Sequence, residues 1–414
     1  MGNRIHLAKV LLSIAMVSLI AILISRFYES FVESATLSPQ SKEMVARSQS
    51  LNSAMRPDVW PPGYPLLLLV ARKIHYPLEN VNLLLFYLTL VFIFVISQKG
   101  LSSISPIWLP LFYSICAFNY YNLAQFTSES IAIPLSLLVL LFLAAYLRRK
   151  SFLTILALSL CCSLLFVSRY QSLLWLSPII VLHLVLTAGA KRKTILLHML
   201  CFITIALGPV SIILQRNYQA TGYLTGMDRL DWAARELPGS VGYYAASTGF
   251  QDNVLLTLKT LFLDFISPFQ YATHEANRSL HPISGLEIAG TILLVLAMGM
   301  IAMTMAGYLK RHGSLINVFR TGYDAAPLAF LAVEFFLGYI LVTILVWTIV
   351  NNDPIYTRFL YPSYIYLIIS MFSGYAFVKT EKTSSASRFL FIGLFLYLIF
   401  VNLYKVTQMA ILSN

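Results

Sequence analysis

Charge is scarce in this chain. Only 11% of its 414 residues are Asp, Glu, Lys or Arg, against 58% that are hydrophobic. A soluble domain needs far more polar surface, so a soluble fold is excluded and a polytopic membrane protein is expected. Cysteine is sparse as well. Cys116, Cys161, Cys162 and Cys201 all lie inside apolar runs, with no metal-ligand spacing and no partner in a polar loop. That pattern points to buried thiols rather than a disulfide framework or a zinc site. The chain has no G-x-x-x-x-G-K-[ST] and no G-x-G-x-x-G, so ATP-driven and dinucleotide-binding chemistry lose support. It shows no repeat of fixed period and no polar stretch able to bury a core of its own, and residues 1–414 read as a single transmembrane domain.

Apolar runs are abundant, at a mean hydropathy of +0.76. A span needs about 20 mostly apolar residues. Runs of that kind stand at 7–25, 81–97, 104–121, 128–147, 152–168, 172–189, 194–214, 284–308, 327–350, 359–377 and 388–405. The expectation is therefore an all-α bundle of about 11 transmembrane helices. Segments 64–75 and 253–267 are short or amphipathic and read as helices lying in the membrane interface. The first run follows Arg4 and Lys9 and ends in Ile24-Ser25-Arg26-Phe27, without a small-x-small cleavage site, so it reads as an uncleaved anchor. Arg148-Arg149-Lys150, Lys191-Arg192-Lys193, Lys310-Arg311 and Lys379 with Lys382 fall on one side of this arrangement, together with Arg4 and Lys9. That side is cytoplasmic by the bias of short loops. The net charge of +12 then reflects anchoring against membrane lipids and not nucleic-acid binding.

The polar mass collects on the other face, in a first outer loop, 26–80, a second, 215–283, and a short third, 351–361. The first loop ends in Trp60-Pro61-Pro62-Gly63-Tyr64-Pro65, and an apolar run restarts at once. Two prolines force extended geometry on their neighbours and donate no backbone hydrogen bond. Crossing a bilayer needs no such stiffness; a loop held in fixed shape against the membrane does.

Carboxylates are few, so their positions carry information. Glu29 and Glu33 follow the first run, Asp58 precedes the double proline, and Glu129 sits in Thr127-Ser128-Glu129-Ser130 at the outer end of a span. Asp228 and Asp231 lie in the second long loop and Asp353 in the last. An ionisable group at the membrane boundary is costly and often functional. The plain alternatives are a solvated interfacial face for Glu29 and Glu33, and a helix-dipole contact for Glu129. Arg169, Arg216 and Arg358 lie in separate outer segments, each flanked by aromatics. They read either as snorkelling belt residues or as phosphate ligands, since a planar guanidinium matches phosphate oxygens. His274-Glu275 and His281 leave a divalent metal open, at a spacing that matches no strong motif.

Taken in order, these pieces resemble the GT-C superfamily of integral-membrane glycosyltransferases, and within it the bacterial branch related to protein O-mannosyltransferases and the lipid A aminoarabinose transferase. The matching pieces are the acidic outer loop ending in Trp60-Pro61-Pro62-Gly63-Tyr64-Pro65-Leu66-Leu67, then Thr127-Ser128-Glu129-Ser130, Phe166-Val167-Ser168-Arg169-Tyr170-Gln171, Arg216-Asn217-Tyr218 before Thr221-Gly222, and Arg358-Phe359-Leu360-Tyr361-Pro362. The resemblance covers roughly residues 5–375. It implies transfer of a sugar from a polyprenyl-phosphate donor to a glycan, lipid or protein acceptor on the outer face of a plasma (inner) membrane. It also implies a carboxylate base in the first outer loop. That role falls on Glu29, although the family has aspartate there, and Glu33 competes for it. Glu129 would orient acceptor or base. Asp58, Trp60 and Tyr64 would shape the substrate loop, and Arg169, Arg216 and Arg358 would meet the phosphate. Two other readings stay open: a flippase or transporter for a lipid-linked sugar, and an O-antigen-type polymerase or ligase. The charges collect at the outer boundary, which favours surface chemistry over transport.

Overall fold

The computed structural model describes residues 37–57, 61–101, 104–186, 192–224, 265–266, 284–314, 317–318, 325–343, 345, 357–380 and 385–413. Regular structure among these is entirely helical. Three short helices, α1 (Pro39–Arg47), α2 (Leu51–Ala54) and α3 (Gly63–Lys73), come first. The long apolar helices begin with α4 (Glu79–Gly100). Then come α5 (Trp108–Ser114), α6 (Ala117–Ala124), α7 (Ser128–Arg149), α8 (Phe152–Ser168) and α9 (Tyr170–Leu186). Helices α10 (Arg192–Phe202) and α11 (Gly208–Thr221) are joined by a π-helical turn, Ile203–Leu207. The chain closes with α12 (Gly285–His312), α13 (Ala325–Thr343), α14 (Thr357–Thr380) and α15 (Ser385–Ser413).

Among the described residues, five helical stretches are long and apolar enough to cross a membrane: Glu79–Lys99, Ser128–Arg149, Leu196–Thr221, Gly285–His312 and Ser385–Thr407. They coincide with five of the expected spans. The spans expected at 152–168, 172–189 and 327–350 correspond to shorter apolar helices, Phe152–Ser168, Tyr170–Leu186 and Pro327–Thr343. The one at 359–377 falls in α14, and 7–25 lies outside the described residues, as does nearly all of 253–267. Run 104–121 is not one helix. It breaks at Ile115 and Cys116 between α5 and α6, where Ser114 Oγ turns back to the Leu111 carbonyl at 2.7 Å and the Asn119 amide takes the carbonyl of Tyr113. Side-chain partners of this kind compete with the helical ladder and satisfy the groups a break releases. The second long loop also starts later than expected. Gln215 to Thr221 are helical, and Gly222, at φ +80°, ends α11.

Two connections are very short. Lys150 and Ser151 alone join α7 to α8, and Arg169 is the single residue between α8 and α9. The main core runs through the long helices. A smaller one, built on Met44, Tyr64, Leu68, Ala71, Val81, Leu85 and Phe126, seats α3 against α4 and the approach to α7. The helix expected at 64–75 is thus present as α3. Pro62 and Pro65 fall at its N-terminal end, where backbone N–H groups have no intrahelical partner to lose.

The start of α3 packs on the α8–α9 turn. A Cβ built on Gly63 would come within 2.4 Å of Ser168 Oγ, 2.7 Å of its Cα and 2.8 Å of its N. Main-chain atoms cannot swing aside as a side-chain tip can. Gly63→Ala is therefore expected to destabilise the protein by about 1–3 kcal/mol through overpacking. Thermal unfolding in detergent reads this directly, and an unchanged midpoint would show that the two segments can separate at no cost.

Candidate functional site

The segment leading into α7 is held from three sides. Asn82, buried on α4, donates through Nδ2 to the carbonyls of Leu123 at 3.2 Å and Gln125 at 2.9 Å. Its Oδ1 accepts from the Tyr64 hydroxyl. Gln125 Oε1 accepts from Ser38 N and Ser41 Oγ, each at 2.9 Å, and the Phe126 N–H donates to Ser41 Oγ at 3.0 Å. Tyr64, fully buried, thus braces this segment through Asn82. Pro61 and Pro62 are buried beside it.

This frame fixes the first turn of α7 and brings two of the singled-out residues together. Glu129 Oε1 meets Arg169 Nη1 at 2.7 Å, with side chains only 3% and 7% exposed. Arg169 Nη2 donates to the Tyr339 hydroxyl of α13 at 3.0 Å. Gln171 Nε2 donates to Thr343 Oγ1, whose own hydroxyl donates to the Tyr339 carbonyl at 2.7 Å. Taking two charges out of water costs several kcal/mol per ion, and only close geometry with added hydrogen bonds offsets it. The position of Glu129 in the first turn of α7 adds the favourable end of the helix dipole. Burial alone pulls the Arg169 pKa down; the Tyr339 hydroxyl and the Glu129 carboxylate outweigh it and hold the group above its ordinary value. The guanidinium stays charged.

Satisfaction is incomplete. Among the described residues, Arg169 Nε and Thr127 Oγ1 are buried polar atoms without a hydrogen-bond partner. Buried polar groups nearly always find one, so these two leave hydrogen-bonding capacity unused beside the Glu129–Arg169 pair, as does Trp175 Nε1 elsewhere in the bundle. A small cavity with room for a water opens between α4 and the entry to α7, lined by Asn82, Phe86, Thr89, Tyr113, Asn119 and Ile133.

The other expected residues are placed differently. Arg216 is exposed near the end of α11 and does not open a loop. Arg358 lies in the first turn of α14, described by its backbone alone. Glu29, Glu33, Asp58 and Trp60 lie outside the described residues, as do Asp228, Asp231, Asp353, His274, Glu275 and His281. Among the described residues no group of three or more His, Cys, Asp or Glu gathers to hold a metal.

Sequence reasoning passed over Asn82, Tyr339 and Thr343, whose roles depend on packing. It also passed over a contact between two ionisable side chains of apolar helices: His183 Nε2 in the last turn of α9 lies 2.6 Å from Glu334 Oε2 on α13. Ionisable groups are therefore not confined to the outer boundary as expected. Glu334 is the one charged residue in the run 325–350, a signal that asks for a partner.

Arg169→Leu and Glu129→Leu should each destabilise the protein by about 3–5 kcal/mol, and the double replacement by less than either, because each single change strands a buried charge. Thermal unfolding of the three variants closes this cycle, and additive losses would deny the coupling. Comparison with known proteins gave no family model matching this chain and no matching curated protein.

Proposed function

We propose that the protein is a membrane glycosyltransferase of GT-C type, moving a sugar from a polyprenyl-phosphate donor to an acceptor hydroxyl on the non-cytoplasmic face. The observation that carries the reading is the buried Glu129–Arg169 pair, with an unpartnered guanidinium N–H, at the place where the Pro61-Pro62-Gly63 turn packs on the Ser168–Arg169 turn. Three segments chosen from the sequence for chemistry meet there. The orientation rests on α7, which carries Glu129 in its first turn and Arg148 and Arg149 in its last. The bias of basic residues toward the cytoplasm then puts the Glu129 end outside.

The reaction is an inverting single displacement. The base carboxylate, Glu29 or its neighbour Glu33, takes the acceptor hydroxyl proton as that oxygen bonds to the anomeric carbon. The bond from that carbon to the phosphate oxygen breaks, and its electron pair leaves on the lipid phosphate. No separate acid is needed for such a leaving group. Its charge is met by Arg358, with Arg216 assisting. Arg169, engaged with Glu129, Tyr339 and Gln171, chiefly sets the shape of the site, with its Nε–H left for an incoming oxygen. A transporter of lipid-linked sugars keeps one observation in its favour, the His183–Glu334 pair between apolar helices.

Transfer of labelled sugar from a polyprenyl-phosphate donor pool, in membranes at matched expression, tests the reading. Glu29→Gln should lose about 10²–10⁴-fold if that carboxylate is the base, and Arg358→Ala about 10²–10³-fold as a lost electrostatic contact. Full activity in Glu29→Gln moves the base to Glu33, Asp58 or Glu129. Tolerance of Gln at positions 29, 33 and 129 alike favours a polymerase or ligase. Donor binding without transfer to any acceptor hands the protein to the transport reading.

A further inference from the structure

Helices α9 and α13 meet in two polar contacts separated by an apolar stretch. At one end Arg169 holds Tyr339 and Gln171 holds Thr343. Deeper in the pair His183 meets Glu334. The pairing is antiparallel: positions rise from 171 to 183 on α9 while they fall from 343 to 334 on α13. Between the two contacts the surfaces are apolar and close. A Cβ on Gly338 would come within 2.8 Å of Ile179 Cδ1, and the Trp175 ring lies 5.3 Å from that of Phe335 and 5.7 Å from that of Tyr339.

Ile179 over Gly338 favours one fit, but the other apolar ridges one turn apart are alike and distinguish neighbouring registers weakly. In a membrane no hydrophobic drive between helices selects one fit over its neighbour. A slip of one turn, about 5.4 Å, would separate Glu334 from His183 and Tyr339 from Arg169 together. Fixing register is the best-attested use of a buried polar pair. We infer that His183 and Glu334 are positioning residues, whose contact sets α13 on α9 in the one register that brings Tyr339 to Arg169 and Thr343 to Gln171. The pair acts on the site through α13, which carries both Glu334 and Tyr339. The consequence for sugar transfer rests on the function proposed above; the register does not.

Cross-linking reads the register without reference to activity. In the full chain in membranes, Gln171→Cys with Thr343→Cys places two thiols at the far contact, to be joined by a short bifunctional thiol reagent and identified by peptide mapping. Adding Glu334→Leu or His183→Leu should lower the yield about three- to tenfold, the range that interhelical polar contacts in membranes support. Glu334→Gln, which can still hydrogen-bond the imidazole, should restore it. A second pair, Ser41→Cys with Gln125→Cys, reports on the distant frame around the entry to α7 and should cross-link equally in all backgrounds. An unchanged yield at 171 and 343 overturns the inference. An equal fall at both pairs overturns it too, since the contact would then serve only general stability. Intact register in an inactive protein would count against the proposed transfer alone.

Discussion

The Glu129–Arg169 contact is the constraint on which the surrounding structure turns. A guanidinium enclosed by helix ends is tolerable only while a carboxylate stays against it, so Glu129 cannot move far from the α8–α9 turn. That requirement fixes α7 relative to α8 at the end opposite their short connection, and the hairpin is pinned at both ends. Tyr339 extends the constraint to α13. One ion pair thus ties four helices, and the rest of that end is arranged to keep its two halves in place. Asn82 and Gln125 hold the carboxylate's segment, and the α3 turn closes on the arginine's.

The arrangement also separates support from chemistry. Tyr64, Asn82, Ser41 and Gln125 are buried and mutually hydrogen-bonded, which suits a frame that must not deform. Spare hydrogen-bonding capacity close to the ion pair is small: among the described residues, Arg169 Nε and Thr127 Oγ1 are buried there without a partner. Under the proposed transfer, such a frame would hold its charges before substrate arrives and need little reorganisation when charge develops.

Much of this was legible in the sequence, for identifiable reasons. Helical class and most helix positions follow from apolar runs, because a chain in lipid must satisfy its backbone internally. The helix that starts at the double proline and the tight turn at Arg169 were legible from proline chemistry and from the brevity of the polar break. Residues 104–121 misled because hydropathy does not register an asparagine side chain that takes over a backbone carbonyl. Lengths were less legible than positions: α8 and α9 are apolar throughout yet have only 17 residues each. At the site, Glu129 and Arg169 stood out as charges at span ends. Their mutual contact did not, because residues 40 apart carry no local signal of pairing. Tyr339 and Asn82 were invisible for the same reason, being ordinary residues of apolar helices until packing gives them partners.

The close approach of Gly63 to Ser168 bears on how this fold can diverge. Two of the three atoms that crowd a Cβ at position 63 belong to the main chain of its neighbour. Main-chain atoms are present whatever residue occupies position 168, so no replacement there can make room. Among descendants that keep this packing, the contact would leave no trace of paired substitution. Its signature would be a glycine that never varies beside a position free to drift.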